Sequence, residues 1–418
     1  MSLVFLWRLQ GVAMGVEMMG LMDEVRELHE EFIRIRHDIH AHPELAFEET
    51  RTAALIARLL ADYGLEVHTG VGKTGVVGVL RGHGGAGDGG RGRAIGIRAD
   101  IDALPMPEKT GLPYASTREG CMHGCGHDGH TATLLYAAKF LAQHRDFDGT
   151  VNFIFQPAEE LPPGGALAMM DDGLFERFPC DEIYGLHNRP GLAVGQLGFP
   201  KGAAAASSSS FDIVIKGVGG HAAVPQKTVD PVVMAGEMIG ALQTVISRHR
   251  NPDATAVLSI TQVHAGDAYN VIPDEAVLRG TVRTFDMATL DGIEDDMRRV
   301  VQTLPQMHGG RGELYFVRGY PVLDNWEAQR EFAIGVAQEL LGADNVHTDF
   351  PRRSGSEDFA YYLQRVPGCF FHLGGAKVGK DALPVCEVHN PHYDFNDDSM
   401  PVGAAFWVAL VRAFCRRP

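Results

Sequence analysis

The stretch CMHGCGHDGH, residues 121–130, limits what this chain can be more than any other. It sets two cysteines, three histidines and an aspartate within ten positions, interleaved with three glycines, and no ordinary core segment has that make-up. Apolar residues at helical spacing begin at Thr131 (TATLLYAAKFLAQH), so the stretch reads as a loop at a helix N-terminus. There the free backbone N–H groups and the positive end of the helix dipole favour an anionic ligand such as a thiolate. A thiolate and an imidazole two residues apart, Cys125 and His127, suit a borderline-soft divalent cation: zinc first, then manganese, nickel or cobalt. Cys121, His123 and His130 are read as support for that loop.

At 418 residues the chain exceeds what one hydrophobic core serves comfortably, so two domains are expected. A formal net charge of -16 argues against nucleic acid or an anionic membrane as partner, since both require a basic face. Only Cys121 and Cys125 are close among six cysteines, which excludes a disulfide framework and points to the reducing cytoplasm. The apolar opening, residues 1–22, is broken by Arg8 and Glu17 and has neither a charged leader region nor a cleavage site. It reads as a disordered or mis-started extension, with Met14, Met18, Met19 and Met22 as candidate starts. No other stretch approaches the roughly 20 consecutive apolar residues of a membrane span.

Helical spacing predicts a helix from Asp23 to His40 and a second from Thr50 to Tyr63. Strands follow at 75–82 and 93–100, joined by the glycine-rich turn HGGAGDGGRG. Later strand candidates each end in polar residues: 93–100 runs into Asp100 and Asp102, 150–156 into Pro157, Glu159 and Glu160, 182–186 into His187, and 368–373 into Gly374 and Gly375. With helices between several of them, this is an α/β sheet of mostly parallel strands, whose ligands sit beyond the carboxyl ends. After AAAASSSS (203–210), a bland connector, the order becomes β-α-β-β-α-β, an inserted α+β domain of ferredoxin-like type. The expected division is 23–204 plus 321–418 for the first domain and 205–320 for the insertion.

Glu159 and Glu160 point apart as neighbours at a strand end, so one carboxylate can bind metal while the other reaches the water on it. Hydrolysis at a metal centre needs that division, a Lewis acid that lowers the pKa of water and a base that takes the proton. His187 and His389 add imidazoles from two further loops. With Cys125, His127 and Glu160 they make five ligands, enough for two divalent ions that share one bridging ligand. Asp100 and Asp102 (RADIDALP) either cap the turn before Pro105 or accept a hydrogen bond from a ligand histidine and fix its tautomer. His221 sits among glycines in GVGGHAAVP, and Asn270 and Arg283 belong to YNVIP and GTVRTF. A strand arginine is usually a surface charge and less often meets a substrate carboxylate.

Together RADIDALP, MHGCGHDGH, QPAEE, GLHNRPG, GGHAAVP, NVIPDEAVLRGTVRTF and GSEDF closely resemble the amidohydrolase branch of the aminoacylase-type dinuclear metallopeptidases, from about residue 25 onward. That branch includes hippurate hydrolases, N-acetyl amino acid deacetylases and auxin-conjugate hydrolases. The resemblance implies that Cys125, His127, Glu160, His187 and His389 hold two divalent ions (Zn, Mn, Ni or Co), with Cys125 as the bridge. It implies that Glu159 is the general base and later the proton donor, and that His221 stabilises the oxyanion, often across a dimer of the inserted domain. Asn270 and Arg283 would hold the substrate carboxylate. Two departures flank the pocket: LPPGG (161–165) stands where relatives run glycine-rich, and Pro225-Gln226 where many have Pro-His. The expected activity is hydrolysis of small N-acyl amino acids by a metal-bound hydroxide. Its rivals are a thiol amidase with Cys125 as nucleophile and His127 as base, and a catalytically silent metal-binding scaffold.

Overall fold

A computed structural model describes residues 20–83, 92–376 and 385–416. The extension expected at 1–22 and the glycine-rich turn at 83–92 therefore lie almost wholly outside the described residues. The spacing that predicts one helix from Asp23 to His40 is carried by two, residues 20–26 and α1 (His29–Ala41), with a turn at 27–28 between them. Both segments still bury their apolar stripe, through Leu21, Val25, Phe32 and Ile39.

In chain order there follow α2 (Thr50–Asp62), β1 (Glu66–Val71), β2 (Gly75–Arg81), β3 (Ala94–Asp100), α3 (His127–Gln143), β4 (Thr150–Gln156), β5 (Glu182–Ala193) and β6 (Leu197–Pro200). Then come β7 (Ser209–Lys216), α4 (Pro231–His249), β8 (Ala256–His264), β9 (Glu275–Thr284), α5 (Met287–Met307) and β10 (Arg311–Arg318). The chain closes with α6 (Glu327–Leu341), β11 (Val346–Phe350), β12 (Gly368–Ala376) and α7 (Met400–Cys415). It divides into two compact units, one ending at Gly202 and resuming at Asn325–Pro351 and from Tyr361, the other formed by Ala203–Asp324 with Arg352–Ala360. Residues 352–360, which include the whole SGSEDF loop (354–359), thus group with the second unit and not with the first domain of the sequence reading.

The first unit is α/β, built on an eight-stranded sheet in the order β1-β2-β4-β3-β5-β12-β6-β11. Its centre, β4-β3-β5-β12, is parallel throughout, and β3 is buried at every position, as an apolar run covered on both faces must be. Strands β1, β2 and β6 add antiparallel pairings. Strands β2 and β3 are not neighbours, because β4 lies between them. His187 is not in a loop either: β5 continues through it to Ala193, pairing His187 with His372 of β12. What matters for chemistry is that the ends of β3 and β4 and the middle of β5 bring Asp100, the 157–160 turn and His187 to one edge.

The second unit has the expected β-α-β-β-α-β order and an antiparallel sheet β8-β9-β7-β10. Alternate residues of β7, such as Phe211, Ile213 and Ile215, pack with Met234 and Leu242 of α4 and Ile293 and Met297 of α5. Asp230 and Asp286 start the two helices by accepting main-chain N–H groups. The AAAASSSS run is no slack connector: Ala203–Ala205 pairs with Leu323–Asp324, Ser209 opens β7, and Ala204, Ala205, Ala206, Ser207 and Ser209 are buried. Small side chains suggest slack in a sequence, whereas here they lie in a buried, paired segment.

Residues 397–415 are long and apolar enough to cross a bilayer, yet 83% of that span is buried inside the protein. Trp407 of α7 lies 5.1 Å from the ring of Phe371 and 5.8 Å from that of Phe406. Truncating a fully buried aromatic costs about 3–5 kcal/mol, so Trp407→Ala should lower the denaturation midpoint of the first unit strongly. An unchanged midpoint would show that α7 contributes little to this core.

Candidate metal centre

Gly126 decides how Cys125 and His127 are presented. Its φ of +90° is left-handed, and a Cβ there would stand 2.8 Å from Asn188 Oδ1 and 3.0 Å from the Tyr393 hydroxyl. Only glycine takes that conformation in that space without strain. The helix begins at His127, four residues before the position expected from Thr131, so His127, Asp128 and His130 lie in its first turn. The residues before Thr131 carry no apolar periodicity, and that hid the true start. On the other side, the His389 N–H donates to Gly124 O at 2.7 Å, and His389 itself has φ +61°. A non-glycine residue held left-handed is a recurrent mark of functional loops.

The structure brings all five expected ligands together within the first unit. One donor atom from each of Cys125, His127 and His187 lies within 4.8 Å of the others, and the same holds for Cys125, Glu160 and His389. Cys125 is common to both triplets. Its Sγ is 3.3 Å from His187 Nε2, while Glu160 Oε1 is 3.1 Å from His389 Nε2 and 4.0 Å from His127 Nε2. His127, Glu159 and Glu160 form a third such group, so Glu159 stands beside the ligands without belonging to either triplet.

Hydrogen bonds fix which atoms face inward. Asp102 accepts from His127 Nδ1 through both its main-chain O (3.0 Å) and Oδ1 (3.1 Å), and through Oδ2 from the Glu160 N–H at 2.9 Å. His187 Nδ1 donates to Asn188 O at 2.8 Å. Each imidazole is therefore held through Nδ1 with Nε2 turned towards Cys125 and Glu160, the usual arrangement of a ligand histidine. Asp102 is placed to fix the His127 tautomer. Asp100 is not: it accepts from His130 Nδ1 at 2.6 Å and Arg98 Nη1 at 2.7 Å, and its other approach to the centre is 3.7 Å from His127 Nε2.

Two observations show that the donors fit a cation. His127 Nε2 and Glu160 Oε1 are buried, and neither makes a well-directed hydrogen bond among the described residues, although His389 Nε2 stands 3.1 Å from Glu160 Oε1. Such atoms cost about 1–3 kcal/mol each when nothing meets them. Burial also pushes the Cys125 thiol up, and a divalent ion would reverse that by binding the thiolate. Burial opposes charge on His127, but Asp100, Cys125 and Asp102 outweigh it and push its pKa well up.

The supporting residues are only partly those expected. Cys121 donates to Pro43 O, and His130 bridges Asp100 and Asn188, whose side chain meets Tyr393. His123 is buried with neither ring nitrogen hydrogen-bonded among the described residues, and burial lowers it to about 3. Arg98, Asn188 and Tyr393 went unread, although Arg98 and Asn188 sit inside RADIDALP and GLHNRPG. So did a buried ionic cluster behind the loop, in which Arg36 and His40 of α1 both meet Asp128 Oδ2, at 3.0 and 2.8 Å.

His221, Asn270 and Arg283 belong to the second unit. His221 is exposed and pairs with Val271, and the N–H of Ala222 donates to Asn270 O, so these two residues are neighbours. Arg283 is half-buried on β9, donates to Thr281 Oγ1 at 2.7 Å, and has no carboxylate partner among the described residues.

The ionic cluster gives a pH dependence with a definite sign. Burial works against charge on His40, but Asp128 and Glu108 outweigh it and raise it from 6.5 to about 10. The protonated ring thus stabilises the fold fully below its unfolded value of about 6.5, and that contribution is lost as pH rises towards about 10. Stability should fall between about pH 7 and 10, and His40→Gln should flatten the fall; an equal slope in the variant would remove His40 as the cause.

Residues 96–413 match the family model described as peptidase family M20/M25/M40. The chain is 39% identical over 398 residues to a hippurate hydrolase of Campylobacter jejuni, covering 95% of this chain and all of that one. It is 39% identical over 389 residues to an N-acetylcysteine deacetylase of Bacillus subtilis, covering 92% and 97%. Among solved structures it is similar to the Bacillus subtilis YXEP protein, described as a dinuclear metal binding peptidase of the M20 family. There the TM-score is 0.80 at 34% identity, with 94% of this chain and 99% of that one covered.

Proposed function

We propose that this chain, which belongs to peptidase family M20/M25/M40, is a metal-dependent amidohydrolase that releases the amino acid from small N-acyl amino acids. The observation that carries the reading is the pair of donor triplets sharing Cys125. Cys125, His127 and His187 would hold one divalent ion, and Cys125, Glu160 and His389 a second. Bound there, such ions supply Lewis acidity, which polarises an amide carbonyl and lowers the pKa of water.

The chain's own residues do the rest. Glu159, buried beside Glu160, takes a proton from the attacking water and returns it to the departing nitrogen. Asp102 keeps His127 and the Glu160 main chain in place while this happens. His221 is read as the donor to the tetrahedral oxyanion, and Asn270 and Arg283 as the groups that meet the substrate carboxylate; a guanidinium with no carboxylate partner among the described residues supports that role. The names of the relatives favour benzoyl and acetyl groups as acyl parts. LPPGG at 161–165 and Pro225-Gln226 are where this chain's own acyl preference would be set. A cytoplasmic setting suits six cysteines that are all free, and the second unit is proposed to pair two copies as a homodimer.

One distance favours a second reading, a thiol amidase with Cys125 as nucleophile and His187, in place of the expected His127, as base. Cys125 Sγ at 3.3 Å from His187 Nε2 has the spacing of a thiol nucleophile and its base. That reading leaves Glu159 and Glu160 without a task and predicts activity that survives chelators.

The deciding experiment measures amino acid release from acetyl, benzoyl and indole-acetyl amino acids, using chelator-treated protein with and without added zinc, manganese or cobalt. Release restored by metal is expected. Release that persists without metal would favour the thiol reading, and none from folded, metal-loaded protein would favour a silent scaffold. Glu159→Gln should keep its metal and lose turnover, while Cys125→Ala should lose metal from both sites.

A further inference from the structure

Glu49 opens α2 at the helix-capping position, yet its side chain caps nothing there. The residue is fully buried, and its carboxylate is aimed elsewhere. Oε1 accepts the Ala158 N–H at 2.9 Å, and Oε2 accepts the Thr74 hydroxyl at 2.5 Å. Ala158 is the residue immediately before Glu159. Its carbonyl accepts from Gly165 N–H at 3.0 Å, and two residues on, the Glu160 N–H is held by Asp102 at 2.9 Å. The turn that carries both glutamates is therefore gripped on each side of Glu159 by a buried carboxylate.

Backbone strain gathers at the same place. Among the described residues the non-glycine positions with left-handed φ are Phe47, Lys73, Ala158 and His389. Three of these fall at, or within two residues of, Glu49, Thr74 and Ala158. Lys73 Nζ also lies 3.9 Å over the Phe47 ring, tying the first two segments together. Strained conformations persist only where surrounding contacts over-determine them, and they cluster where geometry serves function. The segment before Glu49 is docked on the same edge of the sheet, since Ala103, next to Asp102, donates its N–H to Glu44 O at 2.8 Å. Burial raises the Glu49 carboxyl to about 7, so the chain keeps an acid there against a sizeable desolvation cost.

We propose that Glu49 is a positioning residue for catalysis: by holding the left-handed Ala158 peptide, with Thr74 orienting its carboxylate, it sets the direction in which Glu159 points. The inference rests on Glu159 being the general base. Glu49 touches neither substrate nor ligand, so its contribution is to the rate of the chemical step and not to metal or substrate affinity.

The test compares kcat, KM and metal stoichiometry of metal-loaded Glu49→Ala, Glu49→Gln, Thr74→Val and Glu159→Gln, on the N-acyl amino acid released fastest in the panel above. Misplacing a catalytic group by an ångström can cost about a hundredfold, so Glu49→Ala should lose about ten- to a hundredfold in kcat with KM and metal content preserved. Glu49→Gln should recover most of it, because the amide oxygen still accepts from Ala158 and its NH2 can donate to Thr74. Thr74→Val should show a smaller loss, again in kcat alone. Wild-type kcat in Glu49→Ala, equal losses in the Ala and Gln variants, or a loss that follows metal content would each overturn the proposal. Should Glu49→Ala fail to fold, Thr74→Val decides: a kcat loss at constant KM and metal content supports the proposal, and an unchanged kcat overturns it. Turnover in Glu159→Gln would overturn the base assignment and this inference with it, whereas an inactive Glu159→Gln beside a fully active Glu49→Ala would count against Glu49 alone.

Discussion

The Asp102 carboxylate joins three pieces of backbone that would otherwise be independent. It follows the end of β3, accepts from His127 in the first turn of α3, and accepts from the main chain of Glu160 beyond β4. Each bond fixes one ligand: a tautomer in the first case, a loop position in the second. The remaining donors are then placed by shorter-range devices. Gly126 lets Cys125 precede the helix without a clash, β5 carries His187, and the Gly124 carbonyl anchors His389. Without the bond network around Asp102, the two triplets would have no reason to share a corner.

That corner is electrostatically expensive, and its surroundings show how the expense is met. Buried Asp100 is held well below the carboxylate range because His127, Arg98 and His130 outweigh the desolvation that would raise it. Asp128 is likewise surrounded by Arg36 and His40. Carboxylates with their partners therefore surround the site, while among the described residues His127 Nε2 and Glu160 Oε1 lack a well-directed hydrogen bond. A buried polar site is stable when every member is satisfied, so these two atoms mark where a cation belongs.

Much of this was legible in the sequence, for identifiable reasons. Cys125, His127, Glu160, His187 and His389 were readable as candidates because metal chemistry restricts residue type. Cys125 and His127 also lie in a glycine-rich stretch and Glu160 follows an apolar strand, whereas His187 lies within a strand and His389 in a polar loop. The inserted fold was readable because periodicities of two and of 3.6 alternate cleanly from Phe211 to Arg318. Other features left no such trace. The start of α3 at His127 is hidden because its first turn is polar, and the pairing of Ala203–Ala205 is hidden because small residues look like slack. Short strands such as Glu66–Val71 and Val346–Phe350 are half-exposed and lack the apolar run that announces the central strands. Glu49, Arg98 and Asn188 act through contacts with residues far away in sequence, or through positions whose partners only the fold supplies. No spacing rule reaches these.

The central claim is that two ions share the Cys125 sulfur. Anomalous X-ray diffraction from crystals grown with zinc or manganese tests it most directly. Two anomalous peaks are expected, one ligated by His127 and His187 and the other by Glu160 and His389, with Cys125 Sγ bound to both. A single peak, or two peaks neither of which contacts Cys125, would contradict the account.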